Sequence, residues 1–175
     1  TGIAGLSIVT DSLAAVKFGK VRIIRDERGI AVGFKQEGTP HIPFGNNDDK
    51  TDKIALMVTE KFMEYLRQHE TYRHAIPTQS LLTITSNVVY GKNTGATPDG
   101  REKGVPFAPG ANPMNGRDIK GAIAALSSVA KLPFQHSNDG ISYTFAITPA
   151  TLGKQSDTQI DNLVNLMDGY FTPDG

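Results

Sequence analysis

The sequence contains no cysteine. Disulfides, thiolate metal sites and a cysteine nucleophile are therefore excluded within this chain, and a cytosolic origin is the simpler expectation. Net charge is also missing, because 18 basic residues balance 18 acidic ones. No bulk field then recruits nucleic acid or an anionic membrane. No apolar run approaches the ~20 residues that cross a bilayer, and the opening residues do not read as a leader peptide. At 175 residues the chain is long enough for one domain with a real core. No repeat, low-complexity tract or internal boundary divides residues 1–175. The chain opens at Thr1 without Met and closes at Thr172-Pro-Asp-Gly175, so both ends read as cut from a longer polypeptide.

What the chain does have is an unusual stretch from Gly91 to Asp118. Gly91, Gly95, Gly100, Gly104, Gly110 and Gly116 alternate there with Pro98, Pro106, Pro109 and Pro113. Structureless connections of this length are uncommon inside a compact domain and are usually functional or disordered. Arg101, Phe107, Met114 and Arg117 are interspersed among the glycines, which points to a loop held in one shape rather than a flexible linker.

Around this stretch, helices and strands mix. Ile3, Leu6, Val9, Leu13 and Val16 recur at helical spacing over residues 3–18, with Gly2, Ala4, Gly5 and Ser7 leaving a thin face for close packing. Residues 21–24 and 30–35 read as a hairpin around a charged turn. The run Asp48-Asp49 offers N-caps for a helix over 51–68. Residues 80–85 read as a strand, continued or followed by Val88–Tyr90. A short Ala- and Ser-rich helix is expected over 121–132, a strand over 140–147 and a last helix over 157–171. The class is α/β, without clean alternation of βαβ units.

Candidate chemistry is sparse. The glycines invite an anion cradle, but neither a P-loop nor a dinucleotide fingerprint has its spacing or context, so glycines at positive φ within a structural clamp explain the stretch better. Asp99 with Arg101, and Arg117 with Asp118, read as charge-assisted pairs that pin the loop. Asp48, Asp49 and Asp52 lack the calcium-loop pattern, and helix capping accounts for them without a metal. His41, His69, His74 and His136 are scattered. Ser86, Ser127, Ser128 and Ser142 have no identifiable partner base. No catalytic set is complete within the chain.

The run Leu82-Thr-Ile-Thr-Ser-Asn-Val-Val-Tyr-Gly-Lys92, followed by Thr97-Pro-Asp-Gly-Arg101, resembles the pyruvate formate-lyases, a branch of the glycyl radical enzymes. Phe107-Ala-Pro-Gly-Ala-Asn-Pro-Met114, Ala75-Ile-Pro-Thr-Gln-Ser80 and Ser128-Val-Ala-Lys-Leu-Pro133 extend the likeness across the chain. The Thr-Pro-Asp-Gly-Arg segment marks the superfamily, whereas the longer runs are specific to the formate-lyase branch.

The resemblance implies part of a ten-stranded α/β barrel, made of two five-stranded half-barrels in a longer homodimer. It implies conversion of pyruvate and coenzyme A to acetyl-CoA and formate. A glycyl radical, installed by a radical-SAM activating enzyme, passes to a pair of adjacent cysteines for that reaction. By the same resemblance the cysteine pair lies before Thr1 and the radical glycine after Gly175. Gly169, in Asp168-Gly169-Tyr170, lacks the preceding Arg-Val of a radical glycine and is a decoy. The chain alone is therefore expected to be inactive and to bind no metal. Leu82 and Ile84 are expected in the wall of the substrate pocket, on one face because they lie two residues apart on an extended segment. A 2-ketobutyrate formate-lyase, or a non-catalytic subunit completing a split enzyme, would carry nearly the same motifs.

Overall fold

Gly5 turns the chain through a left-handed conformation (φ 82°) directly into helix α1, Leu6–Phe18. A side chain there would also meet the Phe107 ring, 3.0 Å from where a Cβ would sit. The face α1 buries is small and polar: Ser7, Thr10, Asp11, Ala14 and Ala15, flanked by Leu6 and Ile8. Val9, Leu13 and Val16, expected on the inward stripe with Leu6, are exposed instead. The helix is rotated so that the buried Asp11 reaches the half-buried Arg117. Residues 1–171 are described by a computed structural model, and the closing Thr172–Gly175 lies outside the described residues.

The expected hairpin is present as strands β1, Lys20–Arg25, and β2, Ala31–Glu37, paired antiparallel with Ile23 opposite Phe34. The turn is closed by Asp26, whose carboxylate accepts from the Arg28 and Ile30 amides at 3.0 and 2.9 Å. Helix α2, Asp49–Leu66, follows. Its N-cap is Asp48, whose carboxylate accepts from the Thr51 amide at 3.1 Å. Asp48→Ala leaves that donor of the first turn without its side-chain partner, and is expected to cost about 1 kcal/mol in chemical denaturation.

The strand expectations over 80–85 and 140–147 reduce to single bridges. Gly2 pairs with Ser80 and Leu81 with Ile141, both parallel. A strand needs a continuous ladder, and among the described residues segment 80–85 instead meets three different stretches of backbone, at Ser80, Leu81 and Thr83. Ser86–Lys92, including Val88–Tyr90, forms helix α3 rather than more strand. Helix α4, Ala122–Ala130, the single-turn helix α5, Pro149–Leu152, and helix α6, Ser156–Phe171, complete the order. Apart from these two bridges, the sheet among the described residues is the two-stranded hairpin.

The core gathers where the bridges meet α1, α2 and α4. Leu6, Phe44, Ala55, Leu81, Ala111, Val129 and Leu132 pack together, with Ile3, Val58, Ile141 and Tyr143 against them. A smaller cluster joins Ile8 to Ala108 and Met114 under Phe107. Residues 108, 111 and 114 belong to the Gly/Pro-rich stretch, so part of it is core. By contrast α6 buries none of its residues. No helix among the described residues is long and apolar enough to cross a membrane.

Candidate functional site

Leu82 and Ile84 follow the buried Leu81 and are 41% and 63% exposed. Alternation explains Leu82, since Ile3, Leu81 and Ile141 face the core and Leu82 faces the other way, while Ile84 lies in the bend that leads into α3. The Leu82 side chain lies over Gly140, where a Cβ would be 3.6 Å from its nearer methyl.

The Gly/Pro-rich stretch is a brace laid against this segment and α3. Gly91, on α3, packs so closely on the brace that a Cβ would fall 2.4 Å from the Val105 carbonyl oxygen. Asn87 and Phe107 make two bonds: the Phe107 amide donates to the Asn87 carbonyl at 3.1 Å, and the Asn87 side-chain amide donates to the Phe107 carbonyl at 2.7 Å. The Gly110 amide donates to the Thr83 carbonyl at 2.7 Å, and the Ala111 amide to Ser142 at 2.9 Å. The Asn112 side chain then pairs with both backbone groups of Thr144, at 2.7 and 2.9 Å.

This arrangement leaves little for an anion. The amides of Gly100, Gly104 and Gly110 donate to Thr97, Thr94 and Thr83 carbonyls. Glycine conformational freedom serves the turn itself, with φ of 89°, 85° and 50° at these three residues.

Both loop arginines pin the chain, but Arg101 bonds backbone carbonyls rather than Asp99, and Arg117 bonds carboxylates other than Asp118. Arg101 is buried and spends its guanidinium on backbone: Nη1 donates to Val105 at 2.7 Å and Glu102 at 3.0 Å, and Nη2 donates to Gly95. It also lies over the Phe107 ring, 5.1 Å from its centroid. Arg117 Nη1 donates to Asp99 at 2.7 Å and to Asp11 of α1 at 2.9 Å, rather than to Asp118. Asp99 also accepts from the Ser12 hydroxyl at 3.1 Å, and Asp11 from the Phe44 amide at 2.7 Å. Both carboxylate side chains are fully buried. Burial pushes the Asp11 carboxyl up to about 6 against the pull of the Phe44 amide and Arg117.

His41 joins this cluster, and its sequence context carried no signal for that. Its Nε2 lies 4.0 Å from Asp11, its side chain is 5% exposed, and both ring nitrogens lack a hydrogen-bond partner. Burial, then the nearby Arg117, holds its pKa below the ordinary imidazole range. His69 and His74 are exposed. Asp49 and Asp52, expected only to cap α2, instead receive Lys131 at 2.8 and 2.9 Å and so tie α2 to the end of α4. Among the described residues no three His, Asp or Glu side chains could hold a metal together.

A cavity of about 600 Å³ opens on the far part of the brace, between Phe107, Met114, Asn115, Asp118, Tyr143 and Phe145. Leu82 and Ile84 do not line it. Gly169 sits in the last turn of α6, over Ile123 of α4.

The sequence over residues 1–91 matches the family model described as pyruvate formate lyase-like. The chain belongs to that family. Residues 107–175 match a second model, described as glycine radical. The chain is 61% identical over 170 residues to the PFL-like enzyme TdcE of Escherichia coli (strain K12), and equally to Formate acetyltransferase 1 of the same strain. Each match covers 97% of this chain and 22% of the relative, so the chain spans about a fifth of their length. Among solved structures, the glycerol-bound B12-independent glycerol dehydratase from Clostridium butyricum superimposes with a TM-score of 0.77 at 28% identity, over 98% of this chain and 23% of that one. The family model covers residues 1–91, the 61% identity runs across both halves of the chain, and the fold is shared with a glycerol dehydratase.

Proposed function

We propose that this chain is a segment of a formate C-acetyltransferase, which converts pyruvate and coenzyme A to acetyl-CoA and formate by glycyl and thiyl radical chemistry. The observation that carries the reading is the 61% identity over 170 residues to Formate acetyltransferase 1. In the full-length enzyme the segment forms part of a ten-stranded barrel in a cytoplasmic homodimer. The radical is installed by a radical-SAM activating enzyme and held by a glycine and a cysteine pair elsewhere in the polypeptide. No residue of this segment is catalytic. Leu82 and Ile84 form part of the pocket wall, apolar and free of easily attacked groups, and exclude water from the reacting centre. Their exposure in this chain supports that role, since a face turned from the core is available to line a cavity.

The chain is equally identical to a relative named only as PFL-like, so a second reading, a formate-lyase acting on 2-ketobutyrate, stands beside the first. One experiment tests both. The matching segment of Formate acetyltransferase 1 is replaced by this chain, the chimera is activated anaerobically, and coenzyme-A-dependent formate release is measured with each keto acid. Turnover of pyruvate at a rate comparable to the parent is expected, and none from the 175-residue chain alone. A well-folded chimera that releases formate from neither acid overturns the proposal. Formate from the isolated chain would do so for its predicted inactivity.

A further inference from the structure

The backbone around Leu82 and Ile84 is held at few points. Leu81 donates its amide to Gly140 at 2.9 Å, and its carbonyl accepts from the Ser142 amide at 2.9 Å and the Ser142 hydroxyl at 3.2 Å. This fixes the peptide entering Leu82. The peptide entering Ile84 is fixed by the Thr83 carbonyl, which accepts from Gly110 at 2.7 Å.

Gly110 fits between these anchors only because it has no side chain. A Cβ there would fall 2.2 Å from the Ser142 hydroxyl, 2.5 Å from the Ser142 carbonyl oxygen and 3.0 Å from the Leu81 carbonyl oxygen. Two of the three obstacles are backbone, so a rotamer change cannot relieve them. The conformation is left-handed as well, with φ 50°. Any side chain must therefore push Leu81 and Ser142 aside or withdraw Gly110 from Thr83. Either movement turns Leu82 relative to Ile84.

Resting on the formate-lyase reading above, we propose that Gly110 is the positioning residue of the Leu82 and Ile84 wall. By entering the gap between Leu81 and Ser142 and bonding Thr83, it sets how far the two side chains reach toward the alkyl group of a 2-oxo acid. Asn87, bonded twice to Phe107, holds the same brace three residues before Gly110.

The test uses the activated full-length chimera, with kcat/KM measured for pyruvate and for 2-ketobutyrate and normalised to the glycyl radical signal. One methylene in an apolar pocket is worth about 10–200-fold in kcat/KM, so Gly110→Ala is expected to shift the ratio of the two acids by about tenfold. Asn87→Ala, which loosens the brace without a backbone clash, should shift it in the same direction by less. A glycine needed only for stability would lower the melting temperature and the yield of active enzyme, but leave the ratio unmoved. If Gly110→Ala does not accumulate, Asn87→Ala decides. An active parent whose variants keep the parental ratio overturns the positioning role alone. A folded parent that turns over neither acid defeats the formate-lyase reading first, and the positioning role falls with it.

Discussion

Arg117→Ala is expected to cost about 3–5 kcal/mol of folding stability at neutral pH, because it strands two buried carboxylates at once. Nη1 of Arg117 serves both Asp11 and Asp99, at 2.9 and 2.7 Å, and neither carboxylate side chain reaches solvent. The pH dependence separates this cause from lost packing. In the parent, burial raises the Asp11 pKa to about 6, above its ordinary 3.8. Its folded form therefore binds the proton more tightly than its unfolded form. The contribution of Asp11 to stability is greatest below its ordinary pKa, falls as pH rises toward about 6, and is level above that.

Removing Arg117 removes an interaction that lowers the Asp11 pKa, so that decline extends to higher pH in the variant. The loss should thus be largest near neutrality and shrink on acidification toward pH ~5, where the carboxyl is neutral in the folded state. Arg117→Lys should recover part of it, since both bonds come from a single nitrogen. Denaturant melts of the parent and both variants across this pH range give the measurement. A loss independent of pH would mean that the guanidinium acts through packing and not through its charge.

The same cluster shows which parts of the structure were legible in the sequence. Periodicity located α1, α2, α4 and α6, and a charged turn between β-branched runs located the hairpin, because these patterns are local. The partner of Arg117 on α1 was not local. Asp118 and Asp99 are sequence neighbours of Arg117 and Arg101, yet Arg117 reaches Asp11 from the other end of the chain. Sequence proximity is a poor guide where burial selects partners. The misread strands fail for a related reason. Val88-Val89-Tyr90 has strand propensity but lies in α3, and Gly91 and Asn87 there meet the brace. Tertiary contacts decided what propensity did not. For the proposed wall, motif resemblance named Leu82 and Ile84, while the brace that meets their backbone depends on where residue 110 falls in space.

Gly91→Ala is expected to destabilise the chain by about 2–3 kcal/mol, against its local preference. Gly91 lies in α3, and alanine in a helix interior is favoured over glycine by about 1 kcal/mol. If flexibility were the reason for this glycine, the substitution would stabilise. Instead a Cβ would stand 2.4 Å from the Val105 carbonyl oxygen, 2.5 Å from Pro106 Cα and 2.9 Å from the Phe107 nitrogen. All three obstacles are backbone, and the proline cannot swing aside, so the clash outweighs the propensity gain and forces the brace off α3. Gly95 provides the contrast within the same stretch. Nothing lies within 4 Å of a Cβ built there, and its φ is outside the left-handed region. Gly95→Ala should therefore be neutral or stabilise by about 0.4–1 kcal/mol, through the unfolded chain. Denaturant midpoints of the two variants should move in opposite directions or leave only Gly91→Ala displaced. Equal effects would mean that the stretch is a linker whose glycines are interchangeable, and the brace would lose its physical basis.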